Sequence, residues 1–435
     1  MKIGVIGLGF VGLSLSSVLS SKGYSVIGID TDQEKCEKIS NGKPPFFEPG
    51  LEKTLKKGLK KKLVISNEFS LINDCDMIFV TVGTPQKSDG SIELSMIKKS
   101  ITMIGKNIIQ SRKNPIIFIK STVIPGTLEN IVLPILEKKS GKKAGKEFGL
   151  LSNPEFLQES TAIRDTKFPH AVVLGGHQTK YMKKAKNYFS KLHPNIPIIE
   201  TNHQTAEMIK YANNSFLATK ISFINQLANI CQNIPGANID DIAKTIGLDP
   251  RIGKLFLNAG PGYGGSCLPK DIKAIMNFSS KVGVTPLLLN AVDKSNQKQI
   301  ENIIKIIERN CGDLKEKNIS ILGLAFKPKT DDVRDSISLK VIQKLLKKQA
   351  KIIVHDPMAI ENVKKIFKKR IKYADSITEV LKNSYCGIIL TAWPEYSKIT
   401  NKNLKGMKKR VIIDSRRILK NKELDCVYNA IGIGN

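Results

Sequence analysis

An α/β chain is predicted, with two doubly wound domains joined by a long central helix and a helical region, and three observations predict it. Apolar strand-like runs alternate with helical stretches through the first 200 residues, a rhythm that builds parallel sheets through right-handed crossovers. The rhythm returns near residue 318, where Asn-Ile-Ser-Ile-Leu-Gly-Leu-Ala-Phe326 echoes Met-Lys-Ile-Gly-Val-Ile-Gly-Leu-Gly-Phe10, and Lys351-Ile-Ile-Val-His-Asp356 echoes Ser25-Val-Ile-Gly-Ile-Asp30. Between them, residues 204–232 hold no Gly or Pro and place Ile209, Phe216, Ile221, Ile224, Leu227 and Ile230 at helical spacing.

The elements follow in order. Residues 2–8 read as a short buried strand, 11–22 as a helix and Ser25–Ile29 as the next strand; Met77–Val82, Ile116–Lys120 and Ala171–Leu174 are further strands. Asn153-Pro154-Glu155-Phe-Leu-Gln-Glu159 has the form of a helix start, with an Asn cap, a proline in the first turn and two glutamates four apart on one face. The expected division is 1–200, a first α/β domain; 201–310, a central helical and dimerisation domain; and 311–435, a second α/β domain. A helix as long as 204–232 spans two domains or forms a dimer seam.

Composition narrows the class. The 435 residues are 41% hydrophobic and 25% charged, ordinary for a globular protein, but 69 Lys+Arg face 39 Asp+Glu, a net charge of +30. Such a balance favours an anionic partner. The lysines recur along the whole chain (Lys56, Lys57, Lys60; Lys138, Lys139; Lys364, Lys365) without interleaved aromatics, which argues against a dedicated nucleic-acid partner. Seven cysteines lie far apart with no CxxC pair, so neither a disulfide framework nor a cysteine metal site is expected, and a reducing cytoplasm is. The apolar N-terminal run is punctuated by Gly7, Gly9 and Gly12 and is not read as a signal peptide, and no membrane span is expected. The five histidines show no metal-binding spacing, and none is assigned to metal or catalysis.

Gly7-Leu-Gly9-Phe-Val11-Gly12 follows a strand and opens a helix, and Asp30 closes the next strand. That context makes the first domain a Rossmann-like dinucleotide site: glycines admit a pyrophosphate at the helix N-terminus, and Asp30 accepts from a ribose while repelling a 2′-phosphate, so NAD is preferred over NADP. The second copy has lost two of the three glycines and is read as a similar domain without a second dinucleotide site. Val82-Gly-Thr84-Pro85 and Ser121-Thr122 follow strands of the first sheet; their hydroxyls either face the cofactor or close turns. Lys210 and Asn214 stand one turn apart on the long helix, either solvated or supporting an oxyanion. In Gly260-Pro-Gly-Tyr-Gly-Gly-Ser-Cys267-Leu-Pro-Lys-Asp271, four glycines fall within six residues, and a cysteine then meets a helix start. A thiol there is either a nucleophile favoured by the helix dipole or a buried structural cysteine. Lys327, Arg334 and Arg416 are phosphate partners or members of ordinary ion pairs with Asp331, Asp332 and Asp335.

In this order the segments GLGFVG, VGTP, STVIPGT, NPEFLQE, Lys210–Asn214, GYGGSCLPKD, GLAFKPKTDDVR and Asp414-Ser-Arg416 resemble the UDP-glucose/GDP-mannose dehydrogenase family over essentially the whole chain. The resemblance implies a four-electron oxidation of a sugar-nucleotide alcohol to a carboxylate with two NAD per turnover. Cys267 would be the nucleophile, Lys210 and Asn214 the oxyanion support, and Glu155 the proton carrier in hydrolysis, with Thr122 and Asp271 positioning water. NAD contacts are implied for Gly7, Gly9, Val11, Gly12, Asp30, Lys35, Thr84, Thr122, Glu159, Lys270 and Arg334. The sugar nucleotide is implied to meet Glu155, Phe156 and Leu157, then Lys210 and Asn214, the loop residues Asn258, Gly262, Tyr263 and Gly264, and Phe326, Lys327 and Arg416. Arg251 matches an arginine that enters a neighbouring subunit's site, so a homodimer or larger assembly is implied. UDP-glucose is the implied substrate, because Ser266 stands where the N-acetylmannosamine type commonly has histidine; GDP-mannose and UDP-N-acetylmannosamine are the alternatives. Ser415 departs from the family's usual glycine before Arg416.

Overall fold

The computed structural model describes residues 1–177 and 179–434, which fall into two compact units, Met1–Asn213 and Asn214–Asn435. The first unit carries β1 Lys2–Ile6, β2 Ser25–Ile29, β3 Leu63–Ser66, β4 Met77–Val80, β5 Ile116–Ile119, β6 Gly149–Ser152, β7 Val172–Gly175 and β8 Ile198–Thr201. They form one sheet in the order β3-β2-β1-β4-β5-β6-β7-β8. Its first six strands are parallel and follow the doubly wound order 3-2-1-4-5-6, so a ligand crevice opens where the order reverses, beyond the carboxyl ends of β1 and β4. The sheet is not wholly parallel: β7 meets β6 antiparallel through Ser152 and Gly175, and β8 runs parallel to β7. The central strands are buried on both faces and therefore read as unbroken apolar runs, such as Ile116-Ile-Phe-Ile119. Leu63–Ser66, Gly149–Ser152 and Ile198–Thr201 carry weaker signals; the last keeps two exposed residues among its four.

The second unit repeats the wind. Strands β9 Asn318–Leu322, β10 Lys351–His355, β11 Lys372–Tyr373, β12 Cys386–Ile389, β13 Val411–Asp414 and β14 Val427–Ala430 are all parallel in the order β11-β10-β9-β12-β13-β14, again 3-2-1-4-5-6. Its core runs from Ile224 and Ala228 through Ile303 and Ile307 to Ile319, Ile388 and Ile412.

Four helices matter for the site. Helix α1, Phe10–Ser21, follows the glycine turn, and α2, His203–Cys231, realises the long pattern over 29 residues. Helix α3, Leu268–Lys281, begins directly after Cys267, and α4, Leu287–Cys311, precedes β9.

One expectation is corrected. No helix starts at Asn153; residues 153–158 are irregular and the next helix is Ala162–Lys167. Asn153 spends its side chain on the sheet, donating from Nδ2 to Val173 O at 2.8 Å while its Oδ1 accepts from Lys120 at 3.0 Å. An amide so engaged does not cap a helix, and Glu155 and Glu159 therefore do not share a helical face.

Candidate active site

The predicted residues assemble in two groups, one in each unit. In the first, β1 delivers the chain into Gly7 at φ +91°. A Cβ at Gly12 would lie 1.8 Å from Gly7 O, whereas one at Gly9 would meet nothing within 4 Å. Gly12 thus lets α1 pack onto the turn, while Gly9 leaves the backbone open to a ligand. Helix α1 opens with Gly9 as its cap residue and has no acidic residue in its first turn, where Val11 is half-buried. Its N-terminal N–H groups and dipole suit a pyrophosphate. Asp30 accepts from Leu8 N–H at 2.8 Å and from Asp32 N–H at 3.2 Å, and pairs with Lys35 at 2.6 Å. The carboxylate is thereby held at the end of β2, beside the glycine turn. Thr84 is buried and donates to Thr122 O at 2.9 Å, which ties the ends of β4 and β5 together.

Beyond β5 and β6 lies a cation-rich cluster. Lys210 Nζ donates to Glu155 O at 2.7 Å, pairs with Glu155 Oε1 at 3.1 Å and stands 5.6 Å above the Phe156 ring. Leu157 N–H donates to Glu155 Oε2, folding the carboxylate back on its own loop. Glu159 is half-buried in the same loop. Lys120, which sequence reasoning did not single out, joins this cluster by donating to Asn153 Oδ1 and to Asn153 O at 3.3 Å. Burial, helped by Lys210 and opposed by Glu155, pulls its ammonium down to about 8. The signal available beforehand was a lysine at the carboxyl end of an apolar strand, immediately before Ser121-Thr122.

In the second unit the glycine loop is clamped by buried amides. Asn296 on α4 accepts from Tyr263 N–H at 2.8 Å and donates to Tyr263 O at 3.0 Å. Gly260 N–H donates to Asn225 on α2 at 2.7 Å, and Gln299 donates to Gly260 O at 2.8 Å. These three amides were missed; their signal was polar residues recurring on the otherwise apolar faces of long helices. The glycines are required by contact: a Cβ would lie 2.5 Å from Asn296 Oδ1 at Gly262, 2.5 Å from Asp335 O at Gly264 and 2.7 Å from Phe326 at Gly265.

Cys267 caps α3 and is the only exposed cysteine of the seven. One turn into that helix, Asp271 is buried between Asn214, whose Nδ2 donates to it at 2.6 Å, and Lys270, whose ammonium pairs with it at 2.6 Å. Arg416 is fixed by Nε donating to Leu390 O at 2.9 Å, and its Nη1 would lie 3.0 Å from a Cβ at Gly260. Burial, then the neighbouring Arg417, pulls its guanidinium down to about 10, still charged at neutral pH. Ser415 is fully buried and donates to Ile389 O at 2.5 Å, so the serine is absorbed by the sheet. Lys327 is half-buried and stands 5.5 Å above the Phe326 ring. Asn258, Arg251 and Arg334 are exposed; Arg251 forks onto Asp249 and Arg334 onto Asp332, each with a contact of 2.6 Å.

Three family models match in chain order: the NAD binding domain over residues 1–193, the central domain over 204–298 and the UDP binding domain over 320–421. This chain belongs to the UDP-glucose/GDP-mannose dehydrogenase family. It is 37% identical to UDP-glucose 6-dehydrogenase AglM of Haloferax volcanii over 426 residues, covering 97% of this chain and 98% of that one. It is 38% identical to UDP-glucose 6-dehydrogenase TuaD of Bacillus subtilis, covering 99% and 93%. Among solved structures, a UDP-glucose dehydrogenase from Pyrobaculum islandicum superposes with a TM-score of 0.92 at 32% identity, over 99% of this chain and 98% of that one. The chain is a nucleotide-sugar dehydrogenase with an N-terminal NAD domain. Among the described residues no helix is long and apolar enough to cross a membrane.

Proposed function

We propose that the chain oxidises UDP-glucose to UDP-glucuronate in two steps, each passing one hydride to NAD, through a covalent intermediate on Cys267. The single observation that carries the reading is Cys267 itself, exposed at the N-terminus of α3, where the helix dipole favours thiolate. NAD bound to the glycine turn supplies the hydride acceptor. Cys267 Sγ adds to the aldehyde left by the first oxidation, giving a thiohemiacetal; loss of a second hydride gives a thioester, and water cleaves it to the acid and free thiol. Lys210 and Asn214 stabilise the oxyanions, Glu155 carries the proton in hydrolysis, and Thr122 and Asp271 position the water. Thr84, Lys35, Glu159, Lys270 and Arg334 serve the cofactor. The sugar nucleotide takes Phe156, Leu157, the loop 258–264, Phe326, Lys327 and Arg416. Capture on sulfur keeps the aldehyde from solvent between the oxidations.

The decisive measurement is NADH released per UDP-glucose consumed, expected to be two. Cys267→Ser should lose the acid product altogether, and full four-electron turnover in that variant would overturn the covalent route. A panel with GDP-mannose and UDP-N-acetylmannosamine tests the sugar; a signal there and none with UDP-glucose would reassign it. The second matters because a UDP-D-ManNAc dehydrogenase from Pyrococcus horikoshii also superposes, with a TM-score of 0.87 at 26% identity.

The active assembly is a cytoplasmic homodimer built on the central part of a three-part chain, 1–200, 201–310 and 311–435. Phe216, Phe223 and Ile230 recur every seven residues along α2 and are 64, 52 and 50% exposed, an apolar stripe that suits a helical seam. Arg251, exposed in the same part, reaches the neighbouring protomer's substrate. Light scattering should give twice the chain mass of 48.1 kDa or a multiple of it, with Phe223→Asp shifting it towards one.

A further inference from the structure

One cluster of metal-ligating side chains in the first unit has no part in the chemistry above. Glu129 lies on the π-helical turn Leu128–Val132, His177 just past β7, and His203 at the first position of α2. Together they bring one carboxylate oxygen and two ring nitrogens within 4.8 Å of one another. Glu129 Oε1 is 3.0 Å from His177 Nε2 and 3.4 Å from His203 Nδ1. Tetrahedral zinc, with bonds of about 2.0–2.1 Å to N and O, sets its ligands roughly 3.3 Å apart.

The second observation is the state of His203. The ring is 1% exposed, and among the described residues its Nδ1 has no hydrogen-bond partner. Its Nε2 lies 3.0 Å from Leu150 O, which only accepts, so Nε2 carries the proton and a neutral ring keeps a lone pair on Nδ1. That lone pair faces a carboxylate oxygen 3.4 Å away, two acceptors with no donor between them among the described residues. A cation between the two satisfies both. The outer contacts also match a ligand set: a carbonyl fixes the tautomer of His203, and Gln204 Nε2 donates to the other oxygen of Glu129. His177 is 59% exposed, which leaves an entry path and a fourth position for water.

We propose that Glu129, His177 and His203 bind a divalent transition metal of the zinc class, tying the start of α2 to the end of β7 and to the Leu128–Val132 turn. Two imidazoles and a carboxylate suit zinc, cobalt or nickel better than calcium or magnesium. The site's role is to brace the fold.

The test is a zinc titration by calorimetry on the full chain without a purification tag, carrying Cys267→Ser so that the exposed thiol does not compete. One zinc per chain is expected, with a rise in the thermal midpoint as zinc is added. His177→Ala changes an exposed side chain and should preserve the fold; it and Glu129→Gln should each weaken binding at least about tenfold and abolish the thermal shift. Cobalt in place of zinc should give a visible spectrum of nitrogen and oxygen ligation, lost in the same variants. No binding, or zinc bound as tightly by both variants as by the parent, would overturn the proposal. The second result would place the metal elsewhere; the first would leave His203 satisfied by a proton.

Discussion

At the end of β1 the chain turns through Gly7-Leu8-Gly9, and Leu8 N–H donates to Asp30 at the end of β2, 2.8 Å away. At the end of β9 it turns through Gly323-Leu324-Ala325, and Leu324 N–H donates to Asp356 at the end of β10, 2.6 Å away. Both first glycines have positive φ, +91° and +96°, and both meet the fourth strand's following residues, Val82 in one unit and Thr391 in the other. The strand order is also the same. What differs is how much of the corner the protein fills for itself. Asp356 is 4% exposed and takes N–H donors from Leu324, Ala325, Met358 and Ala359 and from the Trp393 indole. Asp30 keeps partial exposure, taking N–H donors from Leu8 and Asp32 and pairing with Lys35. One frame therefore gives an open cofactor cradle or a sealed corner, according to a few side chains. The fifth strands continue the parallel: β5 runs into Lys120 and β13 into Ser415-Arg416, and burial lowers the pKa of Lys120 and of Arg416.

The comparison breaks most sharply at Gly12. Gly12→Ala drives a methyl into Gly7 O, so NAD affinity should fall at least about 100-fold, or about 2.7 kcal/mol, by NADH fluorescence titration. Ala325→Gly should leave one NAD per chain; a second bound NAD would mean that the sealed corner is only a glycine away from a cradle. Next come the two aspartates. Asp356→Asn should cost about 2–3 kcal/mol in chemical denaturation, because an amide turns one acceptor into a donor facing N–H groups. Asp30→Asn should cost less stability and instead narrow the preference for NAD over NADP; equal stability losses would remove the distinction between open and sealed corners.

Lys120 gives a pH signature. Its folded pKa, about 8, lies below the free value of 10.5, so the fold favours the neutral amine. The resulting stabilisation is fully present above about pH 10.5 and is lost as pH falls through about 8. Relative to Lys120→Met, the wild type should therefore lose ground in denaturation midpoint from pH 10 to pH 7; a constant gap would refute the shift. The smallest effect is expected at Ser415→Gly. One buried hydrogen bond is lost, about 1 kcal/mol, while Arg416 stays anchored on Leu390 O and the KM for UDP-glucose changes little.

Much of the fold was legible because it depends on local pattern. The runs at β4 and β5 are apolar throughout, those at β1 and β2 are free of polar side chains after their first residue, and the long helix lacks any breaker from 204 to 232. The start of α3 was readable from Cys-Leu-Pro-Lys-Asp, where proline fits the first turn of a helix. Asn153-Pro154 carries the same local signal and misleads, because a neighbouring strand and Lys120 claim the asparagine's amide first. The clamp of Asn225, Asn296 and Gln299 on the glycine loop was not legible either, since its partners are 33 to 39 residues apart in the chain.

The sequence alone determined the family, the two α/β winds, the NAD preference and the candidate nucleophile. The winds and the NAD preference rest on short contiguous motifs in which spacing along the chain fixes backbone geometry, and Cys267 as nucleophile is what the family resemblance implies. Only the tertiary structure decided that Cys267 is the exposed thiol, that Asp356 is sealed where Asp30 is open, and that Lys120 is a perturbed cation beside Lys210. It alone gathered Glu129, His177 and His203, which share no motif. Burial and lone-pair direction depend on what distant segments bring to a point, and spacing along a chain does not carry that information.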